Sequence, residues 1–312
     1  MNVGASVKAK LRDRAEQENR TYQEIMTVYG LERTLYRLSV SPYSHQFILK
    51  GGILLYAWYQ GNFTRGTADV DFLADHIPND LEIIKKAFEN IFQITCPDDG
   101  IVFDIQTLRA ERIAEFKKYP GIHLSVLGFL ERTQISIQVD IGFGDVIFPA
   151  KTTMEYPTLL DQRAPILETY SKETVIAEKF EVIVSLGKAN SRYKDYYDIY
   201  ALSESFDFEN ESLETALIET FANRHTPFDF IIAFEKGFAT DSDRKRIWAS
   251  FLKAKNITTG PTFELVVQRI QTFLSPIVES IGNSTTELKA WNHLSGEWKT
   301  MDDSRALKNP EK

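Results

Sequence analysis

The apolar residues of this chain change their repeat part-way along it, and that change limits the folds open to it. Over Gln134–Gly142 the residues Ile135, Ile137, Val139 and Ile141 alternate with Gln134, Ser136, Gln138 and Asp140, the period-two signature of a strand with one buried face. Shorter runs of strand character lie at Phe47–Lys50, Ala68–Leu73, Ile101–Thr107 and Ile122–Phe129, with helical character over Ser6–Leu38, Ile53–Tyr59 and Leu81–Phe92. From Glu173 onward the spacing is three to four, predicting helices over Glu173–Leu186, Lys194–Ser203, Ser212–Ala222, Asp243–Ala254 and Phe263–Ser280, and strands are hard to find there. At 312 residues, 43% of them hydrophobic, the chain can fill two cores. The expected organisation is an α+β half over residues 1–160 and an all-α half over 161–312, joined near the proline-punctuated stretch Pro149–Pro165.

Composition removes several function classes. A single cysteine, Cys96, excludes a disulfide framework and a cysteine-based zinc site. The excess of 44 acidic over 36 basic residues argues against coating nucleic acid by bulk charge, although Met1–Lys50 is locally basic. The plain reading of that basic region, with Arg33 and Arg37 four residues apart, is a solvated helix surface. No window is apolar enough for a membrane span, and Lys8, Lys10, Arg12 and Arg14 stand where a signal peptide would have its apolar segment, so a cytoplasmic protein without membrane contact is expected. P-loop, zincin, nucleophile-elbow and dinucleotide motifs are absent, and the five histidines have no close ligand spacing. The tail Ser304–Lys312 is the one stretch expected to stay disordered.

Three patterns carry chemistry. Asp69 and Asp71, one residue apart on a strand, point the same way with Cβ atoms about 6–7 Å apart; they can share a divalent cation, or be a solvated strand end. Gly51-Gly52, between strand and helix, suits a close approach by phosphate to backbone N–H groups, or is simply a turn. Asp140 ends the polar face of its strand and can join the first pair as a third carboxylate, the arrangement that holds metal against a triphosphate; the turn after it offers a weaker acidic alternative, Asp145. In the second half, Lys179 interrupts the stripe Val175, Val182, Leu186, either snorkelling or held for phosphate. Lys188, Arg192 and Lys194 then lead into a helix bearing Asp195 and Asp198 at i, i+3, for which helix-dipole stabilisation is the plain alternative.

Leu49-Lys50-Gly51-Gly52, Arg65-Gly66-Thr67-Ala68-Asp69-Val70-Asp71, Glu173-Thr174-Val175-Ile176-Ala177-Glu178-Lys179 and Arg192-Tyr193-Lys194-Asp195-Tyr196-Tyr197-Asp198 occur in this order. Together they resemble the abortive-infection AbiEii-type nucleotidyltransferase toxins, a branch of the DNA-polymerase-β-like superfamily, over most of the chain. The resemblance implies a polymerase-β-like nucleotidyltransferase core and a C-terminal all-α domain that completes the active site. It implies transfer of a nucleoside monophosphate from an NTP, with Mg²⁺ or Mn²⁺, to an acceptor that in known members is the end of tRNA, and a cognate antitoxin as partner. By this likeness Asp69 and Asp71 bind the metals and Lys179 contacts the triphosphate. Asp195 or Asp198 fills the last acidic position, and Lys50, Gly51, Gly52, Arg65, Thr67 and Arg192 lie along the nucleotide. Asp140 as a metal ligand follows from the wider superfamily. The 16 residues between Gly52 and Asp69 exceed the usual spacing of that superfamily and suit the toxin branch. The rival readings are transfer to a small hydroxylated molecule such as an antibiotic, a nucleotide-binding regulator without turnover, and an Asp-x-Asp glycosyltransferase, which leaves Gly51-Gly52 and the later motifs without a role.

Overall fold

The computed structural model describes residues 2–62, 66–113, 120–228, 230–283 and 288–300, so the tail expected to be disordered lies outside the described residues. The chain divides into two compact units, one of residues 1–145 and 151–170, the other of 146–150 and 171–312.

The region of helical spacing at the start of the first unit forms two helices, α1 (Val3–Gln17) and α2 (Tyr22–Ser39). The interruption is local. Asn19 adopts a left-handed backbone, which ends a helix, and Thr21 restarts it through a capping box with Glu24. There follow β1 (Phe47–Lys50), α3 (Gly52–Trp58), β2 (Val70–Ala74), α4 (Leu81–Phe92), β3 (Ile101–Arg112), β4 (Ile122–Leu130), β5 (Thr133–Gly142), β6 (Thr152–Glu155) and β7 (Ile166–Thr169). The seven strands form one mixed sheet in the order β3-β4-β5-β2-β1-β7-β6.

One face of that sheet is the core. Ile135, Ile137, Val139 and Ile141 of β5 and Val70 and Phe72 of β2 are at most 1% exposed. Helix α2 crosses β5 so closely that a Cβ on Gly30 would meet Ile137 Cδ1 at 2.7 Å. Helix α4 adds Phe88 to Phe47 and Phe72, with ring centroids 5.1 and 6.3 Å away. At about 1.5–3 kcal/mol per buried large apolar side chain, a one-residue slip of β5 would forfeit several such terms and bury Asp140 instead, so the register is strongly specified.

Helix α2 also corrects the expectation of a solvated basic surface. Arg33 and Arg37 are 1% and 2% exposed. Arg37 Nη1 donates to Asp99 Oδ2 at 2.6 Å and its Nη2 to the Ile101 carbonyl at 3.1 Å. Arg33 Nη2 donates to the Arg163 carbonyl at 3.1 Å and lies 2.7 Å from Glu32 Oε1. Glu32, 1% exposed, accepts from the Leu159 amide on Oε2 at 2.7 Å. Burial pushes the Glu32 carboxyl up, against the pull of Arg33, to about 7.

The second unit is chiefly helical, as expected: α5 (Lys172–Leu186), α6 (Tyr193–Ser205), α7 (Asn210–Arg224), α8 (Ser242–Ala254) and α9 (Phe263–Asn283). It also carries a three-stranded sheet of β8 (Phe208–Glu209), β9 (Lys289–Asn292) and β10 (Glu297–Thr300), in the order β10-β9-β8, that an all-α reading omits. Strands of two to four residues offer too few alternations to be read by period. Their anchors are Trp291, fully buried with Nε1 donating to the Ser203 carbonyl at 2.8 Å, and Trp298, stacked on Phe273 at 5.7 Å. Residues 146–150 join this unit because Thr174 Oγ1 donates to the Phe148 carbonyl at 2.7 Å, at the start of α5, where Ser171 is the cap.

Gly51, between β1 and α3, has φ +78° and ψ −160°, a conformation open essentially to glycine alone, and a Cβ there would meet Asp71 Oδ2 at 1.9 Å. Gly51→Ala is expected to cost about 1–3 kcal/mol from the backbone alone, read as a lowered midpoint in urea. Glu32 makes a separate prediction. Because its folded-state pKa is raised, its favourable contribution is complete below about pH 4.5 and is lost as the pH rises through about 7. Between pH 5.5 and 8 wild type should lose about 2 kcal/mol that Glu32→Gln does not lose, measured by urea unfolding across that range.

Candidate active site

The sheet register assembles the carboxylates. Strand β1 pairs antiparallel with β2, placing Lys50 opposite Asp71. Strand β2 pairs parallel with β5, placing Asp71 beside Asp140. Strands β5 and β4 form a hairpin around the two-residue turn Glu131–Arg132, which places Asp140 opposite His123, and β4 pairs with β3 so that His123 faces Glu111. Laterally paired residues share a face. Glu111, His123, Asp140, Asp71 and Lys50 therefore form one row across five adjacent strands, on the face opposite the Val139 and Ile141 core side. Asp69 lies one residue before β2, two residues from Asp71, with its Oδ1 accepting from Thr67 Oγ1 at 2.7 Å.

At one end of the row Lys50 Nζ donates to Asp145 Oδ2 at 2.6 Å and sits 5.3 Å from the Tyr170 ring centroid, with about 12% of the lysine side chain exposed. Tyr170 is held against β1 by its own amide, which donates to the Leu49 carbonyl at 3.0 Å. Asp145, the weaker acidic alternative of the sequence, is thus the anionic partner of a lysine read as nucleotide-binding. On the other side of the carboxylate pair His123 Nδ1 is 2.6 Å from Asp140 Oδ1.

The donor set suits a hard cation. Asp71 and Asp140 are neighbours at one level on one face, and the absence of a Cβ at Gly51 leaves the Asp71 carboxylate the room it occupies. Magnesium takes one or two protein carboxylates and fills its remaining positions with water and phosphate oxygens. Among the described residues no group of three or more His, Cys, Asp or Glu forms a ready-made cage; the arrangement is a carboxylate pair with Asp69 adjoining in sequence. Arg65 lies outside the described residues.

The second unit gathers its own charged cluster. Lys179 Nζ lies 3.1 Å from Asp195 Oδ1 and 2.7 Å from Asp198 Oδ2, and Arg192 Nε donates to Asp195 Oδ2 at 2.8 Å. The side chains of Asp195 and Asp198 are 2% and 0% exposed and that of Lys179 is 11% exposed. Burial works to raise the Asp195 carboxyl, but the Lys179 and Arg192 cations outweigh it and hold it below the ordinary carboxylate range. The helix-dipole alternative is therefore insufficient for this pair.

The stripe that gave Lys179 away is not the buried face of α5, however. The buried apolar residues are Val175, Ile176, Ala177, Phe180 and Ile183, so of the stripe only Val175 is buried, and Leu186 is 42% exposed. Lys179 lies on its flank, where it meets α6. The tyrosines of the Arg192–Asp198 segment fix α6, since Tyr193 and Tyr196 pack on Phe263 at 5.4 and 5.3 Å and Tyr193 on Trp248 at 6.2 Å. Lys188, Arg192 and Lys194 are exposed.

His123 is the site residue that a search for histidine ligand spacing passes over. The available signal was the hairpin: once the turn sits at Glu131–Arg132, a residue eight before it faces a residue eight after it.

Two solved structures resemble the chain in outline: a protein described as a candidate nucleotidyltransferase from H. pylori (15% identity, 85% of this chain and 99% of that one, TM-score 0.48) and JHP933 from Helicobacter pylori (14%, 93% and 99%, TM-score 0.47). No curated protein matches this chain. The family model described as the nucleotidyl transferase AbiEii toxin of a type IV toxin–antitoxin system matches residues 33–269, a span that contains every motif quoted above. The chain therefore belongs to the AbiEii nucleotidyltransferase toxin family.

Proposed function

We propose that this enzyme transfers a nucleoside monophosphate from an NTP to the acceptor end of a tRNA, in a Mg²⁺-dependent reaction that Mn²⁺ also supports, as the cytoplasmic toxin of an abortive-infection, phage-defence system with a cognate antitoxin. The observation that carries the reading is the level pairing of Asp71 with Asp140 beside Gly51, in a chain of this family. Among the described residues no helix is long and apolar enough to cross a membrane.

In this reading Asp69 and Asp71, with Asp140, hold the cation. When bound, the cation offsets triphosphate charge and lowers the pKa of the attacking hydroxyl. Lys50, Gly51, Gly52, Arg65, Thr67 and Arg192 orient the nucleotide, and Lys179 offsets charge on the triphosphate. Asp195 or Asp198 positions the acceptor hydroxyl or takes its proton. The acceptor oxygen bonds to the α-phosphorus, the α–β phosphoanhydride bond breaks, and pyrophosphate leaves. The exposed Lys188 and Lys194 suit an RNA phosphate backbone.

The test is to incubate the purified chain with each α-labelled NTP, Mg²⁺ and total tRNA beside Asp69→Ala/Asp71→Ala. Label on tRNA from wild type alone is expected; label only on small molecules, or metal-dependent NTP binding without transfer, would overturn the tRNA reading. Lys179→Ala is expected to act twice. It leaves Asp195 and Asp198 without their shared cation, costing about 3–5 kcal/mol in denaturant, and it abolishes transfer at a temperature where melting curves still report a folded chain. Transfer at the wild-type rate in the folded variant would assign Lys179 to stability only.

A further inference from the structure

The row of charges leaves two members, Glu111 and His123, without a part in the reaction just described, and of these His123 is the one that meets a carboxylate of the pair. Asp140 and Asp71 are like charges on adjacent parallel strands, so each carboxylate is pushed from the other unless something holds it. On the Asp71 side the next residue of the row is Lys50, opposite it on β1. On the Asp140 side it is His123, with Nδ1 2.6 Å from Asp140 Oδ1.

An ionised carboxylate only accepts, so the hydrogen bond requires the proton on Nδ1. A bond this short to a charged oxygen is of the stronger, charge-assisted kind and fixes orientation. The His123 and Asp140 side chains are 29% and 36% exposed, and pairs so placed add little to stability. Both neighbours of His123 in β4 are core residues, Ile122 at 0% and Leu124 at 1% exposed. The strand is therefore held by them and not by the imidazole, which is left to act on Asp140.

We propose that His123 is a positioning residue. By donating Nδ1–H to Asp140 Oδ1 it fixes that carboxylate beside Asp71, leaving the second oxygen of Asp140 for a cation shared by the two aspartates. The proposal rests on the metal-dependent transfer put forward above and adds to it a residue outside the motifs of the sequence.

The test is Mn²⁺ binding to the full chain with a non-hydrolysable α,β-methylene NTP, counted from the free-ion electron paramagnetic resonance signal. It compares wild type, His123→Ala, His123→Asn and Asp71→Ala. Removing a partner that orients a ligand typically weakens metal binding by about 10–100-fold, so that loss is expected in His123→Ala with an unchanged unfolding midpoint. His123→Asn, whose amide nitrogen can stand in for Nδ1, should recover most of it. Wild-type affinity in His123→Ala while Asp71→Ala loses binding would overturn the role of His123 and leave the metal reading standing. A loss that His123→Asn does not recover would assign His123 to packing and overturn the proposal. Wild-type affinity in Asp71→Ala as well would overturn the metal reading itself.

Discussion

The hydrogen-bond register of β1, β2, β5 and β4 is the constraint on which the rest of the first unit depends. Lys50, Asp71, Asp140 and His123 come from segments up to 90 positions apart, yet the ladder sets them side by side at one level. The same ladder turns Leu49, Phe72 and Ile141 inward, in the neighbouring row. Burying that row fixes the charged one, because side chains alternate strictly and a slip by one residue would exchange the two faces. The site therefore draws its placement from the core behind it.

Electrostatics at the two charged clusters follow different rules. In the first unit the carboxylates are part-exposed, like charges are adjacent, and Lys50 and His123 stand on either side of the pair. Such a pair is suited to a divalent cation that offsets its repulsion. In the second unit the carboxylates of Asp195 and Asp198 are buried and already compensated by Lys179 and Arg192. Two buried anions sharing a cation cost much to disrupt, which ties α5 to α6 irrespective of any reaction. The facing segment Arg192–Asp198 carries three tyrosines. Their rings hold α6 so that both aspartates meet one lysine.

Much of this was legible in the sequence. The alternation of β5 set both its faces, and the Asp-x-Asp, Gly-Gly and Lys179 to Asp198 segments named side chains that the fold gathers into two charged clusters. What misled was context. Arg33 and Arg37 looked like a solvated stripe, because a sequence does not reveal that carbonyls of Arg163 and Ile101 and the Asp99 carboxylate will meet them inside the core. The stripe through Lys179 was a coincidence of spacing, since a helix covered from more than one side has no single apolar face. The small sheet of the second unit escaped notice because its strands are too short to show a period.

The sequence by itself determined the long helices and strands, the inward and outward faces of those strands and the family, because periodicity and short motifs are local properties carried by neighbouring residues. Only the tertiary structure decided that Asp140 stands beside Asp71, that His123 reaches Asp140, that Asp145 answers Lys50 and that one lysine satisfies two buried aspartates. Those are pairings between distant segments, fixed by which strands and helices neighbour one another, and no local pattern encodes a neighbour that arrives from elsewhere in the chain.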